Sequence, residues 1–481
     1  MKSLAKNSVF NLIYTILNMI FPLISSAYVA RILFADGIGR VTYAQSIANY
    51  FVLFAMLGIQ SYGMREISII RNDRSSKNKL FTQLFTFNAI TTTISLIAYI
   101  YLICNFSQMR NDIPLYMACG MAIFWNYFNI DWLYQGEEEY GYIVCRSILI
   151  KLASILFLFA LVKTRSDYIV YAWITSTALG GNYIFNIIHA RKYISFDFSD
   201  FQLVRHGKPI FVFALGILVS NIYGQADITM LGLMKSNDAV GYYSYAQRII
   251  NLVLSLEIGI TSVYLPRLCY LYSNDRDEFH KLLETGTRIL IFLSIPMSAG
   301  VYLLAPQIVQ LLFGTGFVRT ASIVRVFTPM ILIRGLGDLL CYQLAICTGN
   351  EKIRIPAVIL SSIANVTANL ILIPFFSEFG AVVASILAEI IVFAYQFSRL
   401  RKCVKLKFAT DAVWQALFST VVMAIAVFII KKYFERILIS LVISVAVGVC
   451  VYMIINHLLQ NCIERIFINV VLEKIKKLNK G

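Results

Sequence analysis

Residues 39–51 read Gly-Arg-Val-Thr-Tyr-Ala-Gln-Ser-Ile-Ala-Asn-Tyr-Phe, and 202 positions later residues 241–253 read Gly-Tyr-Tyr-Ser-Tyr-Ala-Gln-Arg-Ile-Ile-Asn-Leu-Val. Without a gap, Gly39, Tyr43-Ala44-Gln45, Ile47 and Asn49 fall on Gly241, Tyr245-Ala246-Gln247, Ile249 and Asn251. The register continues through Tyr62 on Tyr264, Arg65 on Arg267 and Asn72-Asp73-Arg74 on Asn274-Asp275-Arg276, giving 11 identities in the 36 positions from 39 to 74. An apolar bias explains matched aliphatics but not matched Gln, Asn, Arg and Asp, so the chain carries an internal duplication. Each copy spans six apolar runs, an even number, so both copies enter the membrane from the same side. That is the parallel type of repeat, with its axis along the membrane normal and a substrate site expected between the halves.

The surrounding composition fits only a membrane setting. Of 481 residues, 59% are apolar and 14% charged, with 34 Phe, 28 Tyr and 9 Pro; mean hydropathy is +0.72. Such a chain is too aromatic and too poor in charge to be disordered, and too apolar for an ordinary soluble enzyme. A helix of about 20 residues crosses a hydrocarbon core of about 30 Å. The sequence predicts fourteen of them, near 9–30, 42–64, 80–104, 114–134, 142–162, 168–190, 209–234, 244–266, 287–313, 321–347, 355–374, 379–398, 411–430 and 437–456. Pro296, Pro306 and Pro329 are expected to interrupt the ninth and tenth. The fold class is all-α: a polytopic membrane protein with six-helix bundles at 1–200 and 201–400, two further spans within 401–456, and a basic amphipathic tail at 457–481 whose Lys474, Lys476, Lys477 and Lys480 would meet an anionic leaflet.

The net charge of +16 lies in short clusters between apolar runs and does not point to nucleic acid. On the side of the termini the loops hold 27 Lys and Arg, and on the opposite side 10, which places both termini in the cytoplasm. Gln135-Gly136-Glu137-Glu138-Glu139 is the one loop on the terminal side without a basic residue. The first apolar run is as long as a full span and lacks a small-residue cleavage site, so no cleaved signal is expected. Nine Cys without a CxxC pair support neither a zinc site nor a disulfide framework. His189, His206, His280 and His457 form no HExxH, and no nucleotide-cradling GxxxxGK[ST] occurs. The reading contains no catalytic residue, cofactor or metal.

A charge at the bilayer centre costs about 2.5–3.5 kcal/mol on insertion scales, so charged side chains in spans face protein or water. Lys151, Glu257, Arg334, Asp338 and Glu389 fall near mid-depth by helical rise, with Arg146, Asp227, Arg248 and Arg325 nearer the span ends and Asp131 near the inner surface. Five mid-depth charges facing lipid would cost on the order of 12–18 kcal/mol, so a shared polar interior is expected. Arg334 and Asp338, four apart, suit a local ion pair. Lys151, Glu257 and Glu389 have no partner on their own helix, although Lys151 with Glu389 across helices is an alternative. Six cations (Arg31, Arg146, Lys151, Arg248, Arg325, Arg334) against four anions (Asp227, Glu257, Asp338, Glu389) describe a cationic interior. Such an interior suits a phosphorylated or acidic cargo, because Arg presents forked donors to phosphate oxygens.

Three stretches carry a resemblance. Arg31-Ile-Leu-Phe-Ala-Asp-Gly-Ile-Gly39 with Tyr43-Ala-Gln45, Asp131-Trp132-Leu-Tyr-Gln135-Gly136-Glu137, and Asp227-Ile-Thr-Met-Leu-Gly232 with Gly241-Tyr242 resemble bacterial polysaccharide flippases of the O-antigen (Wzx) type. Many relatives carry Gly-Pro where this chain has Phe34-Ala35. The resemblance implies the multidrug/oligosaccharidyl-lipid/polysaccharide exporter superfamily, two six-helix bundles and alternating access. It also implies an undecaprenyl-diphosphate-linked oligosaccharide as cargo, moved from the cytoplasmic to the periplasmic leaflet of the inner membrane, in concert with membrane lipid and a polysaccharide polymerase complex.

On this reading Arg31, Arg146, Lys151, Arg248, Asp227, Arg325 and Arg334 are the substrate-binding candidates, and Glu257, Glu389 and Asp338 are candidates for binding a coupling H+ or Na+. One alternative is a membrane glycan polymerase or lipid-linked glycosyltransferase. Its expected acidic DxD occurs once, at Asp275-Arg276-Asp277, but in a short loop that matches Asn72-Asp73-Arg74-Ser75 in the repeat. The other is a cation-coupled multidrug exporter, which usually has twelve spans.

Overall fold

The computed structural model describes residues 4–404 and 409–465, with the side chains of 4–20 and 215–223 left aside. The expected amphipathic tail therefore lies outside the described residues from 466 onward. Every regular element among the described residues is helical. Among the described residues ten helices are long and apolar enough to cross a bilayer, and a shorter apolar one covers 113–128. The chain is a multi-pass membrane protein, and it divides into two compact units, Met1–Gly241 and Tyr242–Gly481.

The first unit begins with α1 (Leu4–Met56), which runs through the loop expected between the first two spans and breaks at Phe34 (φ 54, ψ −171). That backbone region is open almost only to glycine. Leu57 and Gly58 then turn with positive φ into α2 (Ile59–Ile69), so the second expected span is divided near its end. At Gly58 a Cβ would lie 2.7 Å from the backbone nitrogen of Ala214, so both its conformation and its neighbour exclude a side chain. The unit continues through α3 (Arg74–Asn105), α4 (Ser107–Arg110), α5 (Ile113–Trp125), α6 (Asp131–Gly136), α7 (Tyr140–Leu161), α8 (Tyr168–Ala190) and α9 (Leu203–Met234).

The second unit takes up most of α10 (Asn237–Thr261), then α11 (Tyr264–Asn274) and α12 (Arg276–Phe313). Contrary to the expected interruption, α12 passes through both Pro296 and Pro306. The next expected span is broken into α13 (Val318–Phe327), α14 (Pro329–Gly337), a wide π turn at Asp338–Gln343 and α15 (Leu344–Cys347). Pro329 opens α14, where a missing N–H costs no hydrogen bond. α16 (Arg354–Phe376) and α17 (Glu378–Leu400) pair, and α18 (Thr410–Tyr433) with α19 (Ile437–Leu458) forms a hairpin against α12, where Tyr452 Oη donates to the Phe292 carbonyl at 2.8 Å.

A disulfide corrects the cysteine reading: Cys269 of α11 and Cys347 at the end of α15, 78 residues apart, are bonded with their Cα atoms 4.4 Å apart. Sequence spacing could not reveal it, because the pair is made by tertiary contact.

The repeated Asn-Asp-Arg has a local cause. Asp73 caps α3 by accepting from the Ser75 and Ser76 backbone N–H groups, and Asp275 caps α12 by accepting from those of Asp277 and Glu278. The apparent DxD is thus a helix start. The Ser76 hydroxyl and then its N–H hold the Asp73 carboxyl below its usual range. Its stabilisation is therefore complete at neutral pH and fades as pH falls through that lowered value. Asp73→Ala should lower the thermal midpoint, Asp73→Ser should restore most of it, and the gap between wild type and Asp73→Ala should close in acid; a gap unchanged in acid would remove the carboxylate from the account.

Candidate functional site

The second of the three resembling stretches, Asp131 to Glu137, is built into packing rather than left open. Trp132 is buried against Gly63, where a Cβ would come within 2.8 Å of the indole, and Gly136 lies against Ile67, leaving 2.6 Å for the same atom. Tyr134 Oη donates to the Asn186 carbonyl. Glu137 is buried and receives Lys77 Nζ at 2.8 Å, while Arg71 donates to its carbonyl at 2.6 Å and pairs with Glu138 at 3.2 Å. The Tyr193 hydroxyl donates to Glu139 Oε1 at 2.6 Å. The loop without basic residues is therefore the acceptor for basic groups of the neighbouring 65–79 segment.

Arg146, on α7, is buried and engaged on several sides. It reaches Asp131 Oδ1 at 3.2 Å and Asn182 Oδ1 at 3.2 Å, contacts the Asn186 carboxamide, and lies over the Tyr142 ring. Lys151, a turn and a half further along, is half-buried beside the Phe21 ring. Arg31 is exposed on α1 just ahead of the Phe34 break. Asp227 is buried on α9, and two residues on, Thr229 Oγ1 lies 3.1 Å from both the Ser46 and the Tyr50 hydroxyls of α1. Within this unit Arg146 is the candidate tied to Asp131. An apolar cavity of ≈ 330 Å³ between α7 and α8, lined by Ile150, Phe157, Trp173 and Gly181 among others, has no charged side chain in its wall.

The first motif has its own geometry. A Cβ on Gly39 would collide with the Asn237 carbonyl, and one on Gly241 would collide with the Ala35 carbonyl. All four residues belong to the first unit. Under the 202-residue shift 35 becomes 237 and 39 becomes 241, so the two contacts are images of one another. Tyr43 packs on Gly232, and Gln45 Nε2 donates to Thr175 Oγ1 at 2.8 Å.

In the second unit, Arg334 sends Nε and Nη2 to one oxygen of Glu389 on α17, at 2.8 and 2.7 Å. Asp338 Oδ2 accepts from Thr261 Oγ1 at 2.5 Å and from Gln343 Nε2 at 2.8 Å, inside the π turn. Arg248 lies over the Tyr245 ring and Arg325 donates Nε to the Tyr302 carbonyl at 3.2 Å. Glu257 stands apart. It is 1% exposed, neither carboxylate oxygen completes a hydrogen bond among the described residues, and the Ser294 hydroxyl faces it. Gly335 leaves room for it, since a Cβ there would lie 2.6 Å from Glu257 Oε2. Sequence reasoning passed over Arg319 with the buried Glu378, and Lys431, whose Nζ donates to the Leu303 carbonyl. All three sit at span ends, where depth alone marks them as ordinary loop charges.

Residues 4–271 match the profile described as polysaccharide biosynthesis protein, and residues 213–375 match the MatE profile. A protein of Escherichia coli K12 named an O-antigen transporter is 21% identical over 399 residues, 81% of this chain and 95% of its own length. Among solved structures, the lipid II flippase MurJ in an inward closed conformation superposes with a TM-score of 0.78 at 16% identity, covering 94% of this chain and 98% of MurJ. An inward-facing multidrug resistance MATE family transporter gives 0.61 at 13% identity, covering 82% and 98%.

Breaking a buried ion pair from one side costs about 3–5 kcal/mol, toward the lower end where one partner is partly wet, as Asp131 is here. Arg146→Gln should therefore destabilise the protein by about 3 kcal/mol, and Arg146→Gln with Asp131→Asn by clearly less, read as thermal unfolding in one detergent. Additive losses would dissolve the pair.

Proposed function

Because the chain belongs to the polysaccharide biosynthesis protein family, we propose that it is a flippase, moving an undecaprenyl-diphosphate-linked oligosaccharide from the cytoplasmic to the periplasmic leaflet by alternating access. The observation that carries this reading is the near full-length relation to the E. coli O-antigen transporter, supported by a fold shared with MurJ over nearly the whole of both chains. The family is one of transporters, so the polymerase and glycosyltransferase reading loses its ground. The drug-export reading is weaker: the MATE structure leaves 18% of this chain unmatched against 6% for MurJ, by subtraction from the 82% and 94% covered.

The physical task is to carry a diphosphate and a glycan through hydrocarbon. The charged headgroup needs its hydration replaced along the way, while a prenyl tail stays in lipid. We assign the headgroup to Arg31, Lys151 and Arg248, and give Arg146, whose donors are spent on Asp131 and two asparagines, the role of positioning α7. Asp227, Arg325 and Arg334 are secondary members of the same proposal. Both termini would face the cytoplasm of a bacterium, with the chain in the inner membrane and a polysaccharide polymerase consuming what it delivers.

Coupling is proposed at Glu257. A buried carboxylate with no cation beside it needs a proton or a cation for neutrality, and among the described residues Glu257 is buried with no ion-pair partner and only the Ser294 hydroxyl facing it. Glu389 is already matched by Arg334 and Asp338 by two donors, so they follow Glu257 in this scheme.

Cells lacking this chain should trap lipid-linked repeat units in the cytoplasmic leaflet, and expression of this sequence should release them; unchanged leaflet distribution, or export of cationic dyes instead, would overturn the assignment. Glu257→Gln should leave substrate binding intact while flux loses its dependence on the H+ or Na+ gradient. If flux keeps that dependence, the coupling site is elsewhere.

A further inference from the structure

Pro306 lies inside α12 and has no N–H for the carbonyl four residues back, which is that of Tyr302. Arg325 of α13 supplies the missing donor through Nε at 3.2 Å, and Lys431 of α18 donates Nζ to the next carbonyl, Leu303, at 2.7 Å. Two cations from different helices are thus drawn to consecutive carbonyls of a third, close enough to repel each other. Among the described residues neither has a carboxylate partner. Each keeps donors in reserve: Arg325 the two terminal amino groups of its guanidinium, Lys431 two of its three ammonium hydrogens.

Position supplies the second argument. Lys431 is two residues from the end of α18, at the turn 434–436, and Tyr433 beside it is 79% exposed. Aromatic residues at span ends mark the level of the lipid headgroups. Tyr302 flanks the pair as exposed apolar surface, with the Arg325 guanidinium over its ring. Two cations with no carboxylate partner among the described residues, one of them in the last turn of α18, with spare donors and the exposed Tyr302 ring beside them, match a phosphate carrying acyl or prenyl chains.

We propose that Arg325 and Lys431 form a binding site for the phosphate group of an anionic membrane lipid, where α12, α13 and α18 meet. The proposal takes Arg325 out of the secondary cargo set and rests on these contacts, not on the transport reading. The carbonyl bonds fix both side chains in place before the lipid arrives, so the site is preorganised by the proline that freed Tyr302 O.

Native mass spectrometry on the full chain, released from nanodiscs of mixed phosphatidylglycerol and phosphatidylcholine, tests it. Wild type should retain phosphatidylglycerol preferentially, and Arg325→Gln with Lys431→Gln should lower that retention by at least about tenfold. Lys432→Gln, an exposed cation at the same end, should leave it unchanged. The swap Arg325→Lys with Lys431→Arg keeps both charges and should keep the lipid, which separates charge from any loss of folding. Equal retention in the neutralised variant, or equal loss in Lys432→Gln, overturns the site. If inorganic phosphate displaces phosphatidylglycerol from wild type in the mixed discs at comparable concentration, the pocket takes phosphate as such and the lipid assignment falls.

Discussion

Hydrocarbon offers no partner to a charge or a backbone carbonyl, and that single constraint accounts for most of the polar contacts in this protein. Arg146 meets Asp131 and two asparagines, Arg334 meets Glu389, and Asp338 meets Thr261 and Gln343. Each contact joins helices far apart in the chain or stabilises an irregular turn. Even the carbonyl that Pro306 releases is taken by an arginine from another helix. Charge inside the spans is therefore mainly architectural, and the few groups left with unmet demands become informative by contrast. Among the described residues Glu257 is one, buried with no ion-pair partner; Arg325 and Lys431 are others, with donors but no counter-charge.

The fold class was legible because a bilayer imposes a length on every span, and length is a one-dimensional property. The helices found at Arg74–Asn105, Tyr140–Leu161 and Ile437–Leu458 fall close to the apolar runs that predict them. Boundaries were less legible where backbone conformation decides them. Nothing in the apolar pattern says that α12 continues through two prolines while α1 breaks at a phenylalanine. The Gly-Pro common at that point in resembling sequences was a clue to the second case, since φ 54 is a glycine conformation. Phe34 holds it with its ring 4.0 Å from the Arg165 guanidinium carbon, a cation–π contact that offsets part of the strain.

Partners were the least legible part of the candidate site. Counting 1.5 Å per residue gives an expected depth, but partner choice depends on which faces meet. Arg334 and Asp338 illustrate the limit. Their spacing permits a local pair, yet Glu389 on α17 supplies both hydrogen-bond acceptances for Arg334 and Asp338 has donors from Thr261 and Gln343. The disulfide between Cys269 and Cys347 was hidden for the same reason.

The internal repeat gains a physical meaning from these contacts. One of its identities, the Asp shared by the two Asn-Asp-Arg segments, is a helix cap in each copy, a role each copy needs separately. The identity of Gly39 with Gly241 is of another kind. Each glycine admits a backbone carbonyl of the other segment, Asn237 against Gly39 and Ala35 against Gly241, so a side chain at either position would push apart the same junction. A duplicated sequence that folds back on its own copy must satisfy one contact twice, once in each direction, which holds both positions to the smallest residue. A cap shared by two copies reports only that each copy has a helix there. A reciprocal close approach reports that the equivalent segments touch, which composition, periodicity and depth cannot reveal.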